Sequence, residues 1–146
     1  MTIPQQVHAG ELAGAVVART GEFIAFLDHE PITLGHTLVC PARKVVSIFE
    51  LSDAERLAFL AFAEGVDRAI RAVFQPLGIT QLMSDGAMNE LNHLHLHLVP
   101  RFEDDEFTWI TPGCRKHSIE ELDGVAEKIR GALPEAAGPE RESDSR

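Results

Sequence analysis

The chain has 146 residues, 45% of them hydrophobic and 25% charged, and a formal net charge of −10 at pH 7 with histidine neutral. That is about one domain of chain, able to bury roughly 68–70% of its unfolded surface without a disulfide or metal staple. The acidic balance argues against nucleic-acid polymers and anionic membranes as partners, and the longest unbroken apolar run, residues 57–63, is far too short for a bilayer span.

The opening MTIPQQVHAG has no basic segment followed by an apolar one, so no secretory signal is expected, and the first dozen residues read as an irregular lead-in. Residues 15–19 and 22–27 are apolar runs around Thr20-Gly21, the pattern of a β-hairpin. Residues 28–31 form a polar break. Residues 35–40 read as a third strand stopped by Pro41, whose missing N–H cannot extend a ladder. Ser52 and Glu55 match a capping box, and Phe59, Phe62, Val66, Ile70 and Val73 follow at helical spacing, so a long helix is predicted to run to Phe74. Residues 79–83 read as a fourth strand and 84–90 as a loop around Asp85-Gly86. Residues 93–99 form a fifth strand stopped by Pro100. Ser118 and Glu121 make a second capping box, opening a helix that Pro134 ends, with Leu122, Val125, Ile129 and Leu133 on one face. The fold expected is α+β: a mostly antiparallel five-stranded sheet, one long helix and a C-terminal helix, in a single domain over 1–133. Residues 134–146 carry no large apolar side chain and are expected to be a disordered tail. Cys40 and Cys114 lie far apart and form no CxxC. That argues against a disulfide framework or cysteine-rich zinc site and suits a cytoplasmic location.

The alternation His93-Leu94-His95-Leu96-His97-Leu98-Val99 carries the most chemistry. On a strand it puts three imidazoles on one face and three leucines on the other. One reading is a solvent face that uses histidine. A second is a metal site, but His93 and His97 would stand ~13 Å apart on an extended strand and could not converge on one ion without ligands from elsewhere. A third is a row matched to an extended phosphate chain, in which a neutral imidazole attacks phosphorus while a protonated neighbour holds an oxygen.

The motif resembles the His-φ-His-φ-His-φ-φ signature of the histidine triad (HIT) family of nucleotide hydrolases and transferases. Residues 23–41 resemble that family's N-terminal signature, with Asp28, Pro31, Gly35, His36 and Pro41 in order, and VPRFEDDEF resembles the exit of one bacterial branch. The resemblance covers about residues 10–110. It implies that His95 is the nucleophile, that His97 contacts the phosphate, and that His93 is a buried support for the nucleophile. His36 would position His97, and Asp28 would take the ribose hydroxyls, since a carboxylate can accept from both. Phe26 and Leu27 would wall the base, and the Asn89 amide would contact phosphate. Glu90 stands where members often carry a small hydroxyl residue.

The implied activity is hydrolysis of nucleoside phosphate derivatives, dinucleoside polyphosphates or nucleoside phosphoramidates, at the α-phosphorus through a nucleotidyl-histidine. The alternatives are a nucleotidyltransferase or phosphorylase of the same family, or a non-catalytic nucleotide- or metal-binding module. The expected partner is a small-molecule nucleotide, with no nucleic acid polymer, no membrane, no metal and no cofactor, in a homodimer. Two roles stay open at this level: Arg101 neutralises the acidic residues 103–106 or helps a phosphate, and Trp109 packs at a dimer interface or near the ligand.

Overall fold

Five apolar runs pair into one sheet in the computed structural model, which describes residues 1–108 and 113–134. The strands are β1 (Val16–Arg19), β2 (Phe23–Leu27), β3 (Thr37–Pro41), β4 (Gly78–Leu82) and β5 (Leu96–Arg101). Their order across the sheet is β1-β2-β3-β5-β4, and every neighbouring pair is antiparallel. With helices α1 (Ile3–Ala9), α2 (Asp53–Phe74) and α3 (Ile119–Ala132), this is the expected α+β class.

By contacts the chain divides into two compact units, Met1–Phe107 and Thr108–Arg146. In the first, α2 opens as predicted: the Ser52 side chain accepts from the Glu55 N–H, and Glu55 accepts from the Ser52 N–H at 2.7 Å. Its buried stripe, Phe59, Ala63, Val66 and Ile70, packs on Phe23, Ala25, Val39, Leu94, Leu96 and Leu98 from one face of the sheet. The opposite face carries Ile24, Phe26, Leu38 and Cys40, covered in part by Val7 of α1. Pairing in register puts Phe26 of β2 against Leu38 of β3, and Leu38 against His97 of β5, so these three side chains form one row across that second face. Gly35 adopts φ +96°, and a Cβ there would stand 2.7 Å from the Phe74 ring, so glycine lets the loop before β3 pass close to the end of α2.

Three expectations for this unit change. The lead-in contains a helix: Pro4 lies in its first turn, the Gln5 side chain accepts from the Thr2 N–H at 3.0 Å, and left-handed Gly10 ends it. At seven residues α1 is too short to show a helical period. Pro41 is the last residue of β3, as expected, but Pro100 does not stop its strand, because β5 runs on to Arg101. Each sits beyond the β3–β5 ladder, which pairs only Thr37–Val39 with Leu96–Leu98, so on that side no ladder bond needs its missing N–H. The fifth strand begins at Leu96, not at His93.

In the second unit, α3 is capped as read: Ser118 accepts from the Glu121 N–H, and Glu121 accepts from the Ser118 N–H at 3.0 Å. Leu122, Val125, Ile129 and Leu133 are all exposed. Trp109 and the tail from residue 135 onward lie outside the described residues.

Candidate active site

The face of the sheet away from α2 opens into a cleft. His95 and His97 line it together with Phe26, Leu38 and Asp28. Ile3 of α1, Leu91 and the side chains of His29, Glu30 and Glu90 complete its wall.

His95 is 4% exposed, and its Nδ1 lies 2.8 Å from the His93 carbonyl oxygen. A carbonyl only accepts, so Nδ1 carries the proton and donates it. Neutral His95 therefore keeps its lone pair on Nε2. The donor direction at His97 is set through His36. The backbone N–H of Ile32 donates to His36 Nδ1 at 3.3 Å, so neutral His36 carries its proton on Nε2 and donates it to His97 Nδ1 at 2.9 Å. That leaves neutral His97 with its own proton on Nε2, able to donate to an oxygen. The rings of His95 and His97 stand 4.7 Å apart, centroid to centroid, nearly edge to face.

Burial governs the protonation of this cluster. Burial pulls His97 down to about 4, with His95 and His36 adding to the effect. His36 is lowered by burial although Asp28, 3.7 Å from its Nδ1, raises it. His93 is lowered by burial against the opposing effect of its bond to the Pro41 carbonyl. The expected protonated neighbour is thus replaced by a neutral one: His97 would serve a phosphate oxygen as an N–H donor, not as a cation.

His93 is fully buried and does not join the row that faces the cleft. Its Nε2–H donates to the Pro41 carbonyl at 2.8 Å, and its Nδ1 receives the Thr2 hydroxyl at 2.7 Å. The chain reaches it through Asn92, held at φ +47°, so the triad enters the sheet from a turn and only its last two histidines meet the cleft. Leu94, Leu96 and Leu98 still alternate into the core as read.

Asp28 and Phe26 reach the cleft, and one Asp28 oxygen also accepts from the Glu30 N–H at 2.9 Å. Two expected residues do not reach it. Leu27 is one residue out of phase with Phe26, so it projects from the other side of β2 and is not part of the cleft wall. Asn89 is buried, and its amide joins backbone to backbone: Nδ2 donates to the Val46 carbonyl at 3.0 Å, and Oδ1 accepts from the His93 N–H at 3.3 Å. The amide braces the triad from behind. Arg101 takes the acidic turn: its Nε and Nη2 reach the two Asp105 carboxylate oxygens at 2.7 and 2.8 Å and hold that carboxyl well below its usual range.

Thr2 and Ile3 are the functional neighbours that sequence reasoning missed. Thr followed three residues later by Gln, with Pro between, is a readable helix start, but nothing local says that it docks on His93. The donor atoms of Asp28, His36 and His97 lie within 4.8 Å of one another, a set that could hold a metal ion.

A single antiparallel sheet backed by one long helix, with paired imidazoles of opposite proton direction opening on its other face, defines an α+β histidine-site protein. The chain belongs to the HIT family: residues 9–104 match the family model of the HIT domain. It is 32% identical over 133 residues to Protein hit of Bacillus subtilis (strain 168), spanning 88% of this chain and 91% of that one. It is 35% identical over 95 residues to AP-4-A phosphorylase of Mycobacterium tuberculosis (strain ATCC 25618 / H37Rv), spanning 63% of this chain but 49% of that protein. The crystal structure of a HIT family member from Bacillus subtilis superposes with a TM-score of 0.78 at 28% identity, covering 91% of this chain and 97% of that one.

Proposed function

We propose that the protein hydrolyses nucleoside phosphate derivatives at the α-phosphorus through a nucleotidyl-His95 intermediate. The observation that carries this reading is the hydrogen bond from His95 Nδ1 to the His93 carbonyl, which leaves a nucleophilic lone pair on Nε2. Phe26 and Leu38 offer apolar surface to the base, and Asp28 accepts from the ribose hydroxyls. His97 donates from Nε2 to a non-bridging oxygen. As the Nε2–P bond forms, the bond from phosphorus to the leaving group breaks, and its electron pair departs with that group. His95 becomes an imidazolium whose Nδ1–H points at the His93 carbonyl, which stabilises the charge. Water then attacks phosphorus, the Nε2–P bond returns its pair to the ring, and the water's proton passes to solvent. The product is a nucleoside monophosphate.

The test is alkaline-quenched turnover of labelled substrate. Label should appear on the peptide carrying residues 93–97 and vanish in His95→Ala, which should lose at least ~10³-fold in turnover while still binding nucleotide. Near-normal turnover in that variant, or inversion at a chiral phosphorus, would overturn the double displacement. The likeness to AP-4-A phosphorylase supports a second acceptor, inorganic phosphate in place of water. Nucleoside diphosphate formed only when phosphate is added would establish it. The same reading has the protein work as a homodimer in the cytoplasm, supported by the family resemblance and by the exposed apolar stripe of α3. Light scattering at the mass of one chain would contradict the dimer. Among the described residues no helix is long and apolar enough to cross a membrane.

A further inference from the structure

The peptide group between His93 and Leu94 governs which nitrogen of His95 carries the proton. Its carbonyl receives the His95 Nδ1–H, and its N–H, on the opposite side of the same plane, donates to the Val45 carbonyl at 2.6 Å. That carbonyl belongs to a second peptide group, whose own N–H, on Val46, donates to Glu50 Oε1 at 2.9 Å. The same carboxylate oxygen accepts from the Ser47 N–H at 2.9 Å, and the carbonyl of that third peptide group, on Val46, holds the Asn89 amide. Asn89 in turn accepts from the His93 N–H. One oxygen of Glu50 thus grips both peptide groups whose carbonyls hold the entry to the triad. The bonds from the Ser47 and Val46 N–H groups pull the Glu50 carboxyl below its ordinary value, so it is ionised at neutral pH.

Ser47 and Glu50 also close a capping box around the single turn Ile48–Glu50. Capping alone would need no link to the triad, yet both amides that Glu50 holds lead there. A peptide group is rigid and polar, so an anion bound to its N–H fixes its plane and strengthens its carbonyl as an acceptor. The effect runs from Glu50 through the Val45–Val46 peptide to the Leu94 N–H, and through the His93–Leu94 peptide to the His95 ring. We propose that Glu50, an exposed residue that does not line the cleft, is a positioning residue for His95, aiming its Nδ1–H and making Nε2 more electron-rich through these peptide groups. This rests on the hydrolase reading above, in which Nε2 attacks phosphorus. As His95 becomes an imidazolium, the same linkage stabilises the charge on its ring.

Glu55 supplies the control, because it closes the capping box of α2 in the same way but its partners are Ser52 and Arg43. Glu50→Ala should lower kcat about three- to tenfold with the affinity for adenosine monophosphate held. Glu50→Gln, which keeps the acceptor and drops the charge, should fall between that variant and wild type. In the magnetic resonance spectrum of isotopically labelled protein, the Leu94 amide proton and the His95 Nδ1 proton should both move upfield in Glu50→Ala as their bonds weaken. Glu55→Ala should lower the urea midpoint and leave kcat and both proton signals where they are. Alanine at Glu50 and at Asn89 should combine less than additively in kcat, because both residues act on the Val46–Ser47 peptide. Where the wild type turns over, an unchanged kcat or unmoved signals in Glu50→Ala overturn the role of Glu50, as does an equal loss of kcat in Glu55→Ala, and the hydrolase reading stands. Where the wild type does not turn over, moved signals uphold the linkage to His95 and overturn the hydrolase reading, and unmoved signals overturn both. Should Glu50→Ala fail to fold, Glu50→Gln decides on the same readouts.

Discussion

Thr2→Val should damage the triad from a position that no motif marks. The substitution keeps the side-chain shape and removes the hydroxyl that His93 Nδ1 receives at 2.7 Å. His93 is 0% exposed and its Nε2–H is committed to the Pro41 carbonyl, so its Nδ1 is left as a buried acceptor without that donor. Such a loss costs about 1–3 kcal/mol, and the lower half applies because Thr2 itself is only part-buried. With a urea slope of roughly 1–3 kcal/mol/M, the unfolding midpoint should drop by about half a molar. The substitution also takes the Thr2 hydroxyl from the start of α1, where it lies 3.2 Å from Gln5 Oε1, while the backbone N–H bond to Gln5 is retained. The His93 carbonyl fixes the proton on His95, so turnover should fall about three- to tenfold, mainly in kcat, with nucleotide affinity held. Thr2→Ser should restore both properties. Urea titration followed by intrinsic fluorescence, with single-turnover kinetics, reads the pair of effects. A Thr2→Val protein equal to wild type in both would refute the idea that α1 braces the triad.

Stability should depend on pH through the neutral histidines. His36, His93 and His97 are lowered in the folded state from an ordinary value near 6.5, so the unfolded chain binds their protons first as pH falls. The stability they contribute is whole above about 6.5 and is lost as pH falls toward about 4, where His97 titrates. Urea midpoints should decline between pH 7 and pH 5, above the main carboxylate range, and a flat profile there would contradict the neutral cluster. Asp28→Ala should erase most of a ~10–100-fold preference for ribose over deoxyribose substrates, because an unpaired acceptor at the diol costs ~1–3 kcal/mol. Equal preference in variant and wild type would place the diol elsewhere. Removal of residues 136–146 should change neither activity nor oligomeric state, since that stretch offers no large apolar side chain to bury.

What the amino-acid order determined by itself was local. Both long helices announce their starts through Ser52 with Glu55 and Ser118 with Glu121, because a capping box closes within four residues. The strands follow from short apolar runs, and the leucine phase of the triad follows from the two-residue period of extended chain. Phe26, Asp28, His95 and His97 were expected in the site from contiguous motifs of the family, and the fold brings these four to one cleft, with His36 bonded to His97. Tertiary structure decided what depends on partners distant in the chain. The acceptor that holds His93 lies 52 residues away and its hydroxyl donor 91, so neither its burial nor the role of α1 could be read locally. Asn89 left the cleft because the Val46 carbonyl, 43 residues away, claims its amide, and Leu27 left it because strand phase alone separates it from Phe26. The charge state of His97 was likewise invisible, since a solvated imidazole and a buried one share a sequence and differ only in what surrounds them. Here burial and the His36 bond, from a residue 61 positions away, hold His97 neutral and aim its proton into the cleft.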